Sequence, residues 1–332
     1  MKAVLCKEFG EPDSLTVEEV PDPVPAAGQV VIDVHACGVN FPDVLIVQGK
    51  YQFKPDLPFT PGGEVAGTVS AVGEGVVGFR IGDRVMAFAG WGGFAEKLAV
   101  PAASAQPIPD GMDMVTASIL TGAYGTSFHA LRDRASLMAG ETLLVLGAAG
   151  GVGLAAVEIG AAMGARVIAA ASSSERLELC RAHGATDLID YKQEDLRGRL
   201  RELARGGVDV VFDPVGGPFS EPALRAVGWN GRFLVIGFAA GDIPRIPLNL
   251  PLLKACQIVG VFWGAAVGRD PSLLASVVQD LGALWKEGKI RPHVAATYQL
   301  DDAGRALEAL ANRQVQGKMA LTTSQLKQAP KS

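Results

Sequence analysis

Leu143-Leu144-Val145-Leu146-Gly147-Ala148-Ala149-Gly150-Gly151-Val152-Gly153, continued by Leu154-Ala155-Ala156-Val157-Glu158-Ile159, reads as a buried strand turning through glycines into a helix. Glycines allow a tight turn and let backbone amides approach a pyrophosphate with no Cβ in the way. The helix N-terminus adds unpaired N–H donors and a partial positive charge. Aligned on Gly150 and Gly153, the stretch meets the last two glycines of the dinucleotide fingerprint and places Ala148 at the first. Arg166-Val167-Ile168-Ala169-Ala170-Ala171 then supplies a second apolar strand after a helix of suitable length, completing a βαβ unit. The pattern predicts a nucleotide-binding turn.

The end of that second strand discriminates between nucleotides, because an Asp or Glu there accepts hydrogen bonds from an adenosine ribose 2′-hydroxyl. Ala171-Ser172-Ser173-Ser174 carries no carboxylate, and Arg176 stands two residues further on. Nothing there repels a 2′-phosphate and a guanidinium is at hand to pair with one, so NADPH is expected rather than NADH. The same residues also read as a helix cap followed by a solvated first-turn arginine, and the two roles are compatible.

The chain has 332 residues, 48% of them hydrophobic and 20% charged, which suits a two-domain globular enzyme with a large core. A net charge of −5 and a 6% aromatic share argue against a nucleic-acid partner, while leaving room for a local basic patch. Cys6, Cys37, Cys180 and Cys256 are scattered without CxxC spacing, and charges interrupt the first residues, so a reducing cytoplasm is expected. No stretch resembles a membrane span, and the polar end Lys327–Ser332 is expected to fray.

From Met1 to about Ala117, short apolar alternations such as Val30–Ala36 and Val65–Val72 lie between Pro and Gly clusters, as in an irregular β domain. From about Gly122 to Gly264, strands alternate with helices, including Val208–Asp213 and Arg232–Gly237, which predicts a parallel sheet. Ile258–Gly264 reads as a final strand at a sheet edge, through which a homodimer is expected to form. Pro271–Lys286 reads as a helix. Asp301-Asp302 reads as the cap of a helix presenting Ala303, Ala306, Leu307 and Leu310 on one face, before a short strand at Met319–Leu321.

Gly38-Val39-Asn40-Phe41-Pro42-Asp43-Val44, Leu57–Gly67 and Gly82-Asp83-Arg84-Val85 together make nearly the whole chain resemble the medium-chain dehydrogenase/reductase superfamily. That resemblance implies an α/β fold in which a Rossmann doubly wound parallel sheet (residues 122–264) is inserted into a GroES-like β domain (1–121 and 265–332). Zinc alcohol dehydrogenases of the superfamily carry Cys where Asn40 stands and His where Gly63 stands. Glu64 alone cannot make a catalytic zinc site. The structural zinc lobe is also missing, since Phe88–Glu96 contains no cysteine. The pattern is similar to the zinc-free quinone oxidoreductases related to zeta-crystallin, through Asn40, Asp43, Tyr51, Thr126, Ala149–Gly153, Asp190-Tyr191 and Gly317-Lys318.

The resemblance implies that Gly150, Gly151 and Val152 hold a pyrophosphate and that Ser172, Arg176 and Tyr191 surround a 2′-phosphate. Arg176 replaces the Lys common in that branch. It further implies that Asn40, Thr126, Phe238, Phe262 and Lys318 lie near NADPH; core packing is the other reading of the two phenylalanines. A hydride acceptor such as a quinone needs a donor near the oxyanion that develops. Asn40 and Tyr51 are the candidates, with Asp43 orienting. Tyr51 is otherwise a cleft-lining aromatic, and Asn40 otherwise orders its loop or binds the cofactor. Quinone reduction is the expected activity. Reduction of an enone or enoyl-CoA double bond is the alternative, and a noncatalytic NADPH-binding role is the alternative of a different kind.

Overall fold

The structure is a computed structural model that describes residues 1–328. The chain runs through β1 (Lys2–Leu5), β2 (Thr16–Glu19), β3 (Gln29–Val39), α1 (Phe41–Val47), β4 (Glu64–Val72), β5 (Arg84–Phe88), β6 (Lys97–Pro101), β7 (Ala105–Pro107) and α2 (Met114–Ala117). It continues through α3 (Gly125–His129), β8 (Thr142–Leu146), α4 (Gly151–Ala162), β9 (Arg166–Ala171), α5 (Ser174–Ala182), β10 (Asp187–Asp190), α6 (Leu196–Leu203), β11 (Val208–Asp213) and α7 (Ser220–Ala226). There follow β12 (Val227–Val235), α8 (Asn249–Lys254), β13 (Gln257–Gly260), α9 (Trp263–Arg269), α10 (Ser272–Lys286), β14 (Val294–Gln299), α11 (Ala303–Ala311) and β15 (Lys318–Thr322). Two compact units result: Met1–Ala123 with Ala266–Val278 and the chain from Pro292 onward, and Tyr124–Ala265 with Gln279–Arg291.

The first unit is built on a seven-stranded sheet in which β14, β15, β3, β4, β5 and β7 are successive neighbours and β6 also pairs with β3. β3 is a central strand, antiparallel to β4, β6 and β15, so Val30, Ile32, Val34 and Val39 are buried. At about 2 kcal/mol for each fully buried aliphatic side chain, these residues are a substantial share of the unit's core, which β4, β5, α1, α11 and β15 complete. The face of α11 expected from its spacing is observed: Ala303, Ala306 and Leu307 are buried in the same cluster, with Leu310 packed against it. Its cap differs. Asp302 stands at the N-cap without a side-chain capping bond, because its carboxylate pairs with Arg305 at 2.9 Å while Asp301 pairs with Lys2 at 3.1 Å.

The second unit holds a six-stranded sheet in the order β10-β9-β8-β11-β12-β13, every neighbouring pair parallel. Strand order reverses between β8 and β11, the place where doubly wound sheets open a crevice at their carboxyl ends. Leu144, Leu146, Ile168, Ala170, Ile189 and Val211 fill its core. α4 is apolar almost all round and buried from Gly153 to Gly160, which fixes the pyrophosphate-type turn rigidly at the end of β8. The final strand is shorter than expected. β13 makes its last ladder bond near Val261, whose N–H donates to the Val235 carbonyl (3.0 Å), and Trp263 already belongs to α9. The fraying end expected from Lys327 falls mostly outside the described residues.

Candidate active site

In the first unit, three distant segments converge on the carboxylate of Glu64, a fully buried residue at the start of β4. Its Oε1 accepts from Asn40 Nδ2 at 2.9 Å and from Lys318 Nζ at 3.0 Å; its Oε2 accepts from the Gly122 N–H at 2.6 Å and Thr121 Oγ1 at 3.2 Å. Lys318, at the start of β15 and 4% exposed, also donates to the Val39 carbonyl (2.8 Å) and to Asn40 Oδ1 (2.6 Å). A buried ion is tolerated only when its lone pairs and protons are met, and here three ammonium donors and both carboxylate oxygens are. Room for the carboxylate comes from two glycines. A Cβ on Gly38 would lie 2.5 Å from Glu64 Oε1, and one on Gly122 would lie 2.8 Å from its Cδ.

Asn40 precedes α1 as its N-cap, and its N–H donates to Asp43 Oδ2 at 2.8 Å. Its Nδ2 is committed to Glu64 and, at 3.4 Å, to the Gly38 carbonyl. These bonds fit the loop-ordering role left open for Asn40 and leave little to offer an oxyanion. Asp43 is buried, and burial pushes its carboxyl up to about 7 despite the Asn40 N–H and the nearby Lys318 charge. Burial drives the neighbouring Cys37 thiol far above its ordinary range, so it stays an inert, protonated core group.

Tyr51 packs half-buried against the same core, its ring 6.3 Å from Phe53. Burial, with the charge of Asp43, raises its phenol above the ordinary value, so it stays protonated at neutral pH. Its hydroxyl makes no hydrogen bond among the described residues and is available as a donor. His35 contacts Thr68 at 3.3 Å inside the sheet, and burial lowers its pKa.

In the second unit, the turn after β8 takes the form the sequence implies, with one shift of role. The left-handed residue is Gly147, at φ 55°, rather than Ala148 at the fingerprint's first place. Gly150 is the N-cap of α4, and no side chain caps the first turn, so the amides around Gly151 and Val152 are left for an external acceptor. A Cβ on Gly153 would sit 2.3 Å from the Gly147 carbonyl oxygen, which requires glycine where helix and turn meet. This cradle fits a pyrophosphate. Ala171 and Asp190 are paired across β9 and β10, so Ser172 and Tyr191 emerge side by side at the sheet's end. Tyr191 packs against Phe219 with centroids 4.5 Å apart and rings tilted by 45°, and Arg176 lies in the first turn of α5, where its N–H donates to the capping Ser173 Oγ at 3.4 Å. The set suits an adenosine phosphate.

Thr126, partly exposed, stands in α3, which Ser127 ties to α4 through the Val152 carbonyl at 2.8 Å. Phe238 is 36% and Phe262 43% exposed, which overturns the core-packing reading of both. His129 is held by Asp133 at 2.8 Å beside Trp263, a packing role. The sequence marked Glu64 only as a retained acid, did not reveal Thr121 and Gly122 as its partners, and placed Gly147 in the turn without its left-handed role; the glycines at 38 and 122 were the available signal.

Residues 26–110 match a family profile described as the alcohol dehydrogenase GroES-like domain, and residues 151–279 one described as zinc-binding dehydrogenase. The chain is similar to quinone oxidoreductase-like protein 2 homolog of Nematostella vectensis, with 39% identity over 98% of this chain and 89% of that one. It is similar to the quinone oxidoreductase of Rattus norvegicus, with 34% identity over 97% of each. Its structure resembles that of Escherichia coli quinone oxidoreductase complexed with NADPH, at TM-score 0.91 and 29% identity, covering 97% of this chain and 100% of that one. The chain belongs to the medium-chain dehydrogenase/reductase family, in its zeta-crystallin-like quinone oxidoreductase branch.

Proposed function

We propose that this chain is an NADPH-dependent reductase whose acceptor is a quinone. The observation that carries the nucleotide in this reading is the Gly147–Gly153 cradle combined with a carboxylate-free end of β9 bearing Arg176, and the acceptor is supported by the likeness to quinone oxidoreductases. The E. coli relative was solved with NADPH, which supports the same nucleotide here. When bound, NADPH supplies the hydride. The Gly150–Val152 backbone binds phosphate at the α4 N-terminus, and Ser172, Arg176 and Tyr191 select the 2′-phosphate. Tyr51 donates a hydrogen bond to the acceptor's oxygen, its high pKa keeping the proton in place. Asp43 fixes α1, and the Glu64–Lys318 pair fixes Asn40. No step in this scheme is routed through a metal: the one acid that the family's zinc site would share is already paired with an ammonium.

We infer that two copies associate along β13, an edge strand whose Gln257, Ile258 and Gly260 are exposed beside the exposed Leu248, Leu252 and Leu253. All four cysteines are free, and Cys6, Cys37 and Cys180 are buried, which supports the cytoplasm as the compartment. No helix among the described residues is long and apolar enough to cross a membrane.

The test follows NADPH absorbance with chelator-treated protein and Tyr51→Phe, comparing 1,4-benzoquinone and 9,10-phenanthrenequinone with an enone and crotonyl-CoA, and then NADH with NADPH. Fast NADPH-specific quinone turnover, reduced about tenfold or more in Tyr51→Phe, is the expected result. Preference for an activated alkene overturns the quinone assignment, and binding without turnover overturns the catalytic one.

A further inference from the structure

Within the second unit, Arg197 of α6, Arg225 of α7 and Arg245 converge on a pocket of about 500 Å3, walled by Pro218, Pro222 and Pro244. That volume falls within the range of small-molecule sites. Elsewhere in the unit Arg132, Arg166, Arg199 and Arg232 each meet a carboxylate within 2.8 Å. Here only Arg225 is compensated, by Glu221 at 2.6 Å. Neither Arg197 nor Arg245 has an ion-pair or hydrogen-bond partner for its side chain among the described residues. Three guanidinium groups against one carboxylate leave two positive charges facing the same space.

The turn that leads into Gly217 and Pro218 is fixed from behind the pocket. Asp213, buried at the end of β11, accepts from the N–H groups of Val215 (2.8 Å) and Gly216 (2.9 Å) and from Ser220 Oγ (2.5 Å). Gly216 and Gly217 follow with φ of 71° and 58°, and the Gly217 N–H donates to the Asp242 carbonyl at 3.0 Å, pinning the loop that carries Pro244 and Arg245. Prolines offer no N–H donors and little freedom to lose, so the wall presents apolar surface while the arginines supply the directed bonds. Planar guanidinium forks match the oxygens of a phosphoryl group bidentately, which a lysine ammonium does not.

We propose that this pocket binds a phosphate-bearing anion through Arg197, Arg225 and Arg245, at a site separate from the Ser172, Arg176 and Tyr191 set. The same short turn joins the two sets: Gly217 and Pro218 line the pocket, and the Phe219 ring packs at a tilt against Tyr191. The phosphates of a free metabolite and the 3′-phosphoadenosine end of coenzyme A share this chemistry, and the second would place a thioester substrate on this chain.

The test is calorimetric titration of pyrophosphate, coenzyme A and dephospho-coenzyme A into the full chain, with and without saturating NADPH, for wild type and Arg197→Ala/Arg245→Ala. Both arginines are exposed and unpaired, so the variant keeps its fold and its NADPH affinity. Saturable binding that survives NADPH and weakens about tenfold or more in the double variant is expected. Coenzyme A binding tighter than both pyrophosphate and its dephospho form assigns the site to a thioester; equal affinity for pyrophosphate assigns it to a free phosphate. Absence of saturable binding by all three, loss of binding when NADPH is present, or equal affinity in the double variant overturns the proposal.

Discussion

Replacing Lys318 with methionine keeps the length of the side chain and removes the charge that neutralises Glu64. Three hydrogen bonds go with it, to the Val39 carbonyl, Asn40 Oδ1 and Glu64 Oε1. Because Lys318 is 4% and Glu64 0% exposed, water cannot take the place of the ammonium. Breaking a buried pair from one side costs about 3–5 kcal/mol, most of it the stranded charge rather than the worth of the pair. For a chain of this size, that corresponds to a drop in the unfolding midpoint on the order of 10 °C. Thermal melts and urea titrations of Lys318→Met measure it, with Glu64→Gln and the double variant completing a cycle. The double variant should be more stable than the summed single effects by about 2 kcal/mol, because it strands no charge. A loss below about 1 kcal/mol in Lys318→Met, or additivity within about 0.5 kcal/mol, would refute the view that Lys318 and Glu64 act as one buried unit.

Arg176→Ala should raise the apparent KM for NADPH about tenfold and leave that for NADH unchanged, as steady-state kinetics with both nucleotides would reveal. An equal change in both would remove Arg176 from 2′-phosphate recognition. The Asp43 carboxyl titrates near 7 in the folded chain against about 3.8 unfolded, so the folded state holds the extra proton. Its contribution to stability is therefore full below the unfolded value and lost as pH rises through about 7. The stability of Asp43→Asn relative to wild type should climb between pH 5 and 8 in urea titrations, and a flat difference would contradict the burial argument. Ile258→Lys on the edge strand β13 should shift the sedimentation of the chain toward a monomer, whereas an unchanged oligomer would move the interface elsewhere.

How much of this could be read from the residues varies with the range of the contacts involved. The βαβ unit was legible because strand, turn and helix are continuous in sequence from Leu143 to Ala171. The role of Gly147 was not, since the fingerprint assigns its first glycine one residue later and only the backbone dihedral reveals which residue turns left-handed. Ile258–Gly264 is a short apolar run, and period alone cannot separate a strand from the start of a helix such as that at Trp263. Phe238 and Phe262 carried an apolar signal without a direction, and their exposure came from tertiary placement. The Glu64 network was the least legible part: Asn40, Thr121, Gly122 and Lys318 are separated by up to 278 residues and meet only when β15 pairs with β3.

That network also constrains which substitutions this chain can accept. Lys318 Nζ lies 2.6 Å from the side chain at position 40 and 3.0 Å from Glu64. A thiolate placed at position 40 would lie against a resident ammonium, whose positive charge would oppose a divalent cation at the same place. Restoring imidazole at position 63 would not remove that competitor. Recovery of metal chemistry from this chain therefore requires a third change, loss of Lys318, which by itself exposes the fold to the penalty of an uncompensated Glu64. The built-in cation and the buried acid are thus mutually dependent, and a metal could be installed at Glu64 only by changing both sides of that pair.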